Sequence, residues 1–279
     1  MSHLDTHKVS RYNHATLTDL PSSLFYRAGN FNGDEMETDS ATTEFKRWAT
    51  SFSGCDGGDM GTESSPSIWV CGIEWGGGWD DATELQKEMA ASTGTPPIGY
   101  TDYKHNLAYT YNRQIMKLLS AINGGRVEDY EQFALEQKPF VLGESGYFKF
   151  NLYPISFKNT NHALWIEEFS EVTGLKSKQS YLEWCRENRF PVIKAWAQRY
   201  KPKLIICFGK TYKSDFMRSF TDIGSVENHE KLMDRDLFWY RSGETMIAIC
   251  PFPVNRNGLN SNARLLAFGD RIRSLCHTV

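Results

Sequence analysis

The sequence predicts an α/β protein of three layers, in which a parallel or mixed sheet lies between two layers of helices. Two observations carry this prediction: short apolar runs that end at glycine or polar residues, and amphipathic segments that alternate with these runs along the chain. The 279 residues suit a single α/β core with insertions, and a hydrophobic content of 40% is enough for a substantial core. We therefore expect one main domain.

The N-terminal part of the chain differs from the rest in composition. It is polar and ends in a stretch rich in glycine, serine and aspartate, which predicts an extension, residues 1–66, that packs on the core. Within it, a short helix over residues 42–52 would place Phe45 and Trp48 on one face, at the spacing of an amphipathic segment. We expect residues 67–279 to form the main domain.

Strand and helix signals alternate through this main domain. The predicted elements, in chain order, are a strand at 67–73, a helix at 82–91 capped by Asp80 or Asp81, a helix at 111–122, a strand at 147–153, a helical segment at 179–199 interrupted at Pro191, a strand at 203–208, a helix at 211–220, strands at 237–241 and 245–250, and a helix that ends near residue 275. In such sheets, ligands bind at the carboxyl ends of the strands. Polar or glycine-rich segments fall at these ends, at 74–81, 151–158, 209–213 and 250–262.

Charge, cysteine and histidine patterns exclude several classes of protein. A net charge of −3 does not suit a protein that coats nucleic acid, so any DNA contact must be local; basic residues cluster at 194–213, which includes Lys210, and at 256–273. The apolar runs are too short to span a bilayer and the N-terminus lacks an apolar signal segment, so we expect no membrane partner and a cytosolic location. The six cysteines include no C-x-x-C pair and the histidines show no ligand spacing, so we expect buried thiols, no metal and no cofactor.

The glycine-rich turn after the first core strand carries a candidate catalytic group. The turn lacks both sequence patterns of nucleotide phosphate-binding loops. It places the Glu74 carboxylate at a strand end beside Gly76, Gly77 and Gly78, where backbone without side chains can approach a ligand closely.

Four segments, in their order along the chain, resemble motifs of the uracil-DNA glycosylase superfamily. They are GIEWG at 72–76, similar to the first motif (G-Q-D-P-Y or G-E-A-P-G), YFKFNLYP at 147–154, similar to the strand that presents the base-reading asparagine, KPKLIICFG at 201–209, similar to the third core strand, and CPFPVNRNGL at 250–259, similar to the H-P-S-P motif and the loop that enters the duplex. The resemblance implies a central, mostly parallel sheet of four strands. It also implies a monofunctional DNA glycosylase, which hydrolyses the N-glycosidic bond of an extruded base.

The resemblance assigns roles to Glu74 and Asn151. The carboxylate would serve the hydrolytic water or the cationic sugar, since the reaction builds positive charge on the sugar and negative charge on the leaving base. The Asn151 amide has both a donor and an acceptor, which suits the Watson–Crick edge of a flipped base. We expect these two groups to face one another across a cavity.

Further residues would bind the base and the DNA. Gly76 and Gly77 would adjoin the base, and Tyr109, Tyr111 or Phe150 would supply a stacking face. The candidate DNA-binding residues are Cys250, Pro251, Pro253, Asn255, Arg256, Leu259 and Lys210. Two of them, Arg256 and Leu259, are candidates to fill the space left by the extruded nucleotide.

Two departures from the family pattern bear on the substrate. Cys250 stands where the family has histidine, and a thiol cannot stabilise an anionic base oxygen as imidazole does, which weakens uracil as the substrate. Gly76 stands where uracil enzymes have a tyrosine that closes the pocket at carbon 5 of a pyrimidine. We therefore expect a bulky 5-substituted pyrimidine, such as the hydroxymethylated or glucosylated cytosine of phage DNA, which a defence branch of this fold attacks.

Three other functions stay open on the sequence. They are a uracil or damaged-base repair glycosylase, a nucleoside hydrolase or deoxyribosyltransferase, and a non-catalytic DNA-binding protein on the same scaffold, because a fold does not guarantee an activity. For the glycosylase we expect DNA as the partner and a monomer as the acting form.

Overall fold

The structure, a computed structural model, describes residues 40–74, 77–79, 81–92, 94–95, 99–222 and 224–277. The strands are β1 (Cys55–Gly58), β2 (Gly61–Thr62), β3 (Ser65–Pro66), β4 (Ile68–Gly72), β5 (Tyr147–Asn151), β6 (Leu204–Phe208), β7 (Asn228–Leu232), β8 (Arg235–Ser242) and β9 (Thr245–Cys250). The α-helices are α1 (Thr43–Ala49), α2 (Thr83–Ala91), α3 (Tyr103–Leu107), α4 (Thr110–Ile122), α5 (Tyr130–Gln137), α6 (Glu167–Thr173), α7 (Lys178–Trp184), α8 (Phe190–Tyr200), α9 (Lys213–Phe220) and α10 (Asn262–His277).

The described residues form a central sheet of seven strands in the order β1-β5-β4-β6-β9-β8-β7. Strands β5, β4, β6 and β9 pair in parallel, whereas β1 pairs antiparallel with β5, β8 with β9 and β7 with β8. Helices cover both faces of the sheet. The predicted three-layer α/β/α fold around a mostly parallel sheet is therefore confirmed, and antiparallel strands widen the sheet at both edges. None of the described helices has the length and apolar character needed to cross a membrane.

The sequence prediction omits the strands at the two edges, β1 and β7. Their sequences, CDGG and NHEKL, are rich in glycine or charge, and such compositions are typical of loops. Among the described residues each of them pairs with a single neighbour, and all five β7 residues are exposed or half-buried. Pairing with a formed sheet therefore decides their conformation, and apolar periodicity does not.

Side chains of the central strands alternate between two helical layers, as in any strand. Ile68 and Val70 point to one face, which α4 and α10 cover and which we name the α4 face. Trp69 and Cys71 point to the other, which α1, α7, α8 and α9 cover and which we name the α8 face. Because both faces are covered, β4, β5, β6 and β9 are buried along their whole length.

Residues 40–66, the described part of the predicted extension, belong to the same compact unit as the rest. The Thr42 side chain caps α1 by accepting from the Phe45 amide, and α1 buries Phe45 and Trp48 on the α8 face. This confirms the predicted short helix. The following β1 pairs with β5, so this part of the chain contributes to the sheet itself.

Helices α7 and α8 form one helical segment that contains a π-helical turn at Cys185–Arg189. Pro191 lies in the first turn of α8, where the missing amide N–H costs least. The irregularity predicted at Pro191 therefore lies just before it, in the π turn. Arg189 ends this turn and is fully buried.

The Arg189 guanidinium connects the π turn before α8 to the end of α1, to the segment after α1 and to the carboxyl end of β5. Its carbonyl acceptors are Leu152 (2.6 Å), Ser53 (2.6 Å), Asn151 (3.2 Å), Ser51 (3.5 Å) and Ala49. The buried cation is stable because these carbonyl dipoles replace the water that it loses on folding.

Replacing this cation tests its role in the fold. We expect Arg189→Met to lower the free energy of unfolding by about 3 kcal/mol or more, because several buried carbonyl oxygens lose their donor. Arg218→Met replaces an exposed arginine of α9 and should change stability by less than about 0.5 kcal/mol. Denaturant titration measures both values, and equal stability of the two variants would contradict the assignment.

Candidate active site at the carboxyl edge of the sheet

The four parallel strands end at one edge of the sheet. The terminal residues pair across neighbouring strands, Gly72 of β4 with Asn151 of β5 and Phe208 of β6 with Cys250 of β9. Glu74 follows Gly72 by two residues. The segments that the sequence predicts to bind a ligand therefore converge at this edge, which we name the carboxyl edge.

Glu74 forms a buried ion pair with Lys178 of α7. The Lys178 Nζ lies 3.0 Å from Glu74 Oε1 and 3.3 Å from Oε2, and the two side chains are 0% and 5% exposed, lysine first. The ammonium also donates to the Asn159 carbonyl at 3.3 Å and lies 3.9 Å from the centroid of the Phe157 ring. The carboxylate is therefore held in one position by a cation that itself has three fixed contacts.

Burial changes the proton affinity of both partners. It raises the pKa of the Glu74 carboxyl above its ordinary value, although the Lys178 ammonium acts in the opposite direction. It lowers the pKa of Lys178, and the attraction of Glu74 opposes that shift. A carboxylate with a raised pKa accepts a proton more readily than an exposed one, which is the property of a general base.

Asn151 presents its side-chain amide on the α4 face. Its Nδ2 donates to the Gly54 carbonyl at 3.2 Å, and its backbone N–H donates to the same oxygen at 2.8 Å. Its Oδ1 lies against Gly72, where a side chain of any size would collide with it. Glycine at position 72 is thus required for the amide to lie at the carboxyl edge, and the contact with Gly54 fixes its orientation.

A buried polar cluster lies next to Asn151 on the α4 face. We name it the Lys149 cluster; its members are Asp56, Tyr100, Asn112 and Lys149. The Lys149 Nζ lies 3.1 Å from Asp56 Oδ1 and 3.1 Å from the Tyr100 hydroxyl, which also accepts from Asn112 Nδ2 at 2.9 Å. Burial alone would lower the pKa of Lys149, but the Asp56 carboxylate raises it above its ordinary value. The cluster therefore contains a protonated amine two residues before Asn151 on the same strand.

Several polar atoms at and beside this cluster are buried without a hydrogen-bond partner among the described protein atoms. They are Asp56 Oδ2, Asn106 Oδ1, Tyr111 Oη and Asn112 Oδ1. Each such group costs about 1–3 kcal/mol when it is left unpaired, and buried polar groups in native proteins almost always have a protein, water or ligand partner. These atoms give the α4 side of the carboxyl edge hydrogen-bonding capacity that the described protein atoms leave unused, which water or a ligand would satisfy.

Tyr111 lies between this cluster and the strand ends. Its hydroxyl is 3.8 Å from the position that a Cβ at Gly72 would take, and the Lys149 Nζ is 5.3 Å from its ring centroid. The ring packs at 5.4 Å from Phe252 and at 6.0 Å, edge to face, from Phe208. The structure thus brings together two of the predicted site residues, Tyr111 and Asn151.

The expectation that Glu74 and Asn151 face one another across a cavity is wrong. Glu74 turns to Lys178 and Phe157 on the α8 face, whereas Asn151 lies over Gly72 on the α4 face. The reason is that β4 ends at Gly72, so strand alternation no longer sets the face of Glu74, and its carboxylate turns to the Lys178 ammonium of α7. The two groups flank the carboxyl edge from opposite sides.

Two further expectations are corrected by burial. Phe150 cannot stack on a base beside Asn151, because neighbouring residues of a strand point to opposite faces and Phe150 packs in the core with Trp69 and Trp196. Leu259 cannot enter a duplex, because it is fully buried in the core on the α4 face.

The loop after β9 is buried where it leaves the strand and exposes polar residues at its tip. Pro251 and Pro253 are buried, and burial raises the pKa of the Cys250 thiol, which stays neutral. Asn255 and Arg256 are exposed at the tip of the loop. Of the predicted DNA-binding residues, these two are the ones in this loop that a duplex can reach.

The structure shows no contact of the remaining predicted site residues that it describes with Glu74 or Asn151. Lys210 is half-exposed and pairs with Asp236 at 2.6 Å. Tyr109 is 52% exposed and lies 6.0 Å, ring to ring, from Tyr100. Gly77 has a backbone φ of 109° with open space around it, and Gly76 lies outside the described residues.

Cysteines and acidic residues give no sign of a metal centre in the described residues. All six cysteines lie there as free thiols, and five of them are buried, which confirms the prediction of buried thiols for those five. The same residues contain no group of three or more histidine, cysteine or carboxylate side chains that could hold a metal ion.

The sequence prediction missed the partners that surround the site. Lys149 carried a usable signal, because a lysine in the middle of the apolar run YFKFN needs a buried partner. Lys178 carried none, since a lysine at the start of an amphipathic helix is ordinary. Asp56, Tyr100 and Asn112 come from distant parts of the chain, and only the fold brings them together.

Comparison of the sequence with known proteins does not assign it to a family. No model of a known protein family matches the sequence, and no curated protein matches it significantly. The function is therefore argued from the site.

The Glu74–Lys178 pair predicts a specific pattern of stability. Glu74→Gln leaves a buried ammonium without its counter-ion and should cost about 3–5 kcal/mol, whereas Glu74→Gln combined with Lys178→Met removes both charges and should restore most of the loss. Thermal and denaturant unfolding measure the two variants. A double variant no more stable than Glu74→Gln would show that the pair is not coupled as described.

Proposed function

We propose that the protein is a DNA glycosylase that binds an extruded base at the carboxyl edge and hydrolyses its N-glycosidic bond to leave an abasic site. The observation that carries the proposal is the placement of a buried carboxylate, Glu74, and a fixed amide, Asn151, on the two sides of one strand end. The order of the four motifs along the chain supports it as well.

The two groups lie close together along the backbone, on opposite sides of one strand end. Glu74 follows Gly72 by two residues, which span about 7 Å of extended chain, and Gly72 contacts Asn151 directly. A nucleotide that straddles the strand end would place its base against Asn151 on the α4 face and its sugar beside Glu74. Gly72 allows this approach because it has no side chain.

The chemistry follows from the charges that develop in the reaction. As the C1′–N bond breaks, its electron pair moves to the base and positive charge builds on the sugar. The Glu74 carboxylate stabilises that positive charge and accepts a proton from the water that attacks C1′, a general-base contribution of about 10²- to 10⁴-fold. Lys178 keeps the carboxylate oriented for both tasks.

The polar atoms on the α4 face favour a substrate with more hydrogen-bond donors than uracil. Asp56 Oδ2 and Asn112 Oδ1 are buried acceptors without partners. An amino or hydroxyl group of a substituted cytosine would supply the missing donors, whereas uracil has a single N–H on its Watson–Crick edge. We therefore propose a 5-substituted cytosine, such as the hydroxymethylated or glucosylated base of phage DNA, as the substrate.

Base release from defined duplexes tests the proposal. We expect the wild type to form alkali-sensitive abasic sites in DNA that contains 5-hydroxymethylcytosine or its glucosylated form, at higher rates than in DNA with uracil. Glu74→Gln, alone or with Lys178→Met, should lower the rate about 10²- to 10⁴-fold, and the double variant separates this loss from instability. Glu84→Gln, which changes an exposed glutamate of α2, is the matched control.

Failure to release any base from DNA would overturn the proposal. Mass spectrometry of bases released from genomic DNAs of differing modification would detect any activity on DNA. If the wild type releases no base from any of them, the glycosylase proposal is wrong. Release from free nucleosides and not from DNA would indicate a nucleoside hydrolase instead.

Arg256 is the residue of the β9 loop best placed to meet a DNA phosphate, because it is exposed at the loop tip. We expect Arg256→Gln to weaken DNA binding and to reduce the slope of log K against log salt by about 0.9, the value for one phosphate contact. Arg273→Gln, near the far end of α10, should leave the slope unchanged. Titration of a labelled duplex at several salt concentrations gives both slopes, and an unchanged Arg256→Gln slope would exclude the contact.

A further inference from the structure

Breaking the N-glycosidic bond leaves negative charge on the departing base, and the β9 residue at the carboxyl edge on the α4 face is Cys250. The Cys250 thiol is fully buried and burial raises its pKa, so that it is a neutral and weak donor. Another donor must meet the negative charge of the leaving base on the α4 face.

We infer that the Tyr111 hydroxyl, with the Lys149 ammonium over its ring, is the donor that stabilises the departing base. The inference rests on the proposed glycosylase function. In the step concerned, the C1′–N bond breaks with its electron pair on the base, the water oxygen forms the new bond to C1′, and the water proton passes to Glu74. Tyr111 donates a hydrogen bond to the base oxygen that takes up the negative charge, without transfer of its own proton.

The position of the hydroxyl supports this role. It lies 3.8 Å from the Cβ position of Gly72, over which the Asn151 Oδ1 also lies, so that it adjoins the amide that would read the base. Its oxygen is buried and has no hydrogen-bond partner among the described protein atoms. Burial raises the pKa of the phenol well above its ordinary value, which keeps the O–H protonated and able to donate.

Packing does not account for the hydroxyl. The Tyr111 ring contacts Phe208 and Phe252 through its apolar surface, and phenylalanine would make the same contacts. A buried hydroxyl without a partner lowers stability, so that a purely structural role would favour phenylalanine at this position. A ligand that accepts a hydrogen bond explains why the oxygen is there.

The charge of Lys149 reinforces the donor. Its ammonium lies 5.3 Å from the Tyr111 ring centroid and 5.5 Å from that of Tyr100, and it is held by Asp56 and by the Tyr100 hydroxyl. A fixed cation in a poorly solvated site favours negative charge that develops nearby, because there is little water to screen it. The cation cannot leave the site, since its two partners hold it in place.

Tyr111→Phe separates the donor role from a structural one. We expect the variant to be at least as stable as the wild type in thermal unfolding and to release the base about 10²- to 10³-fold more slowly in single-turnover assays. The loss should be largest for poor leaving groups, so that duplexes carrying 5-fluoro-, unsubstituted and 5-hydroxymethyl-pyrimidines show a steeper dependence of rate on leaving-base acidity than the wild type does. Tyr147→Phe, which removes a hydroxyl at the opposite end of β5 on the same face, is the matched control and should keep full activity.

Three results would overturn the inference. If Tyr111→Phe releases the base within twofold of the wild-type rate, the hydroxyl is not the donor, and the glycosylase function itself still stands. If the variant loses stability and activity together while its dependence on leaving-base acidity stays unchanged, the hydroxyl is structural. If the wild type releases no base at all, the inference falls with the proposed function.

Discussion

The architecture of the carboxyl edge depends on one buried cation, Arg189. Its guanidinium donates to carbonyl groups of the end of α1, of the segment after α1, and of the last residue of β5 and the residue that follows it. The same segment contains Gly54, whose carbonyl oxygen accepts both the backbone and the side-chain N–H groups of Asn151. The orientation of the amide at the edge is therefore set from the core outward, by α8 through Arg189 and Gly54.

The two sides of the edge carry complementary charges in similar settings. On the α8 face a carboxylate, Glu74, is held by a lysine, and on the α4 face a lysine, Lys149, is held by a carboxylate. Each pair is neutral overall, which limits the cost of burial, yet each fixes a charged group in a poorly solvated place. Such an arrangement matches a reaction that separates charge across a single bond, because the protein dipoles are already oriented before the reaction begins.

The sequence predicted the core strands and the edge at which they end, because buried parallel strands are continuous apolar runs and their ends are polar. It could also have separated Phe150 from Asn151, since adjacent strand residues point to opposite faces. No sequence signal indicated the burial of Leu259, because an apolar residue in a polar loop can equally well be exposed or packed against the core. The partners of Glu74 and Lys149 lie far along the chain, and their proximity depends on helix packing that no local pattern encodes.

The open edges of the sheet have a consequence for how copies of this chain behave when crowded. Among the described residues, one edge strand, β7, contains the polar and charged residues His229, Glu230 and Lys231, and the other, β1, is four residues long and ends in Gly57 and Gly58 with positive φ angles. A short, twisted or charged border offers little for a foreign strand to add to. The protein can thus keep a broad, strongly apolar sheet without presenting a template for fibrous aggregation.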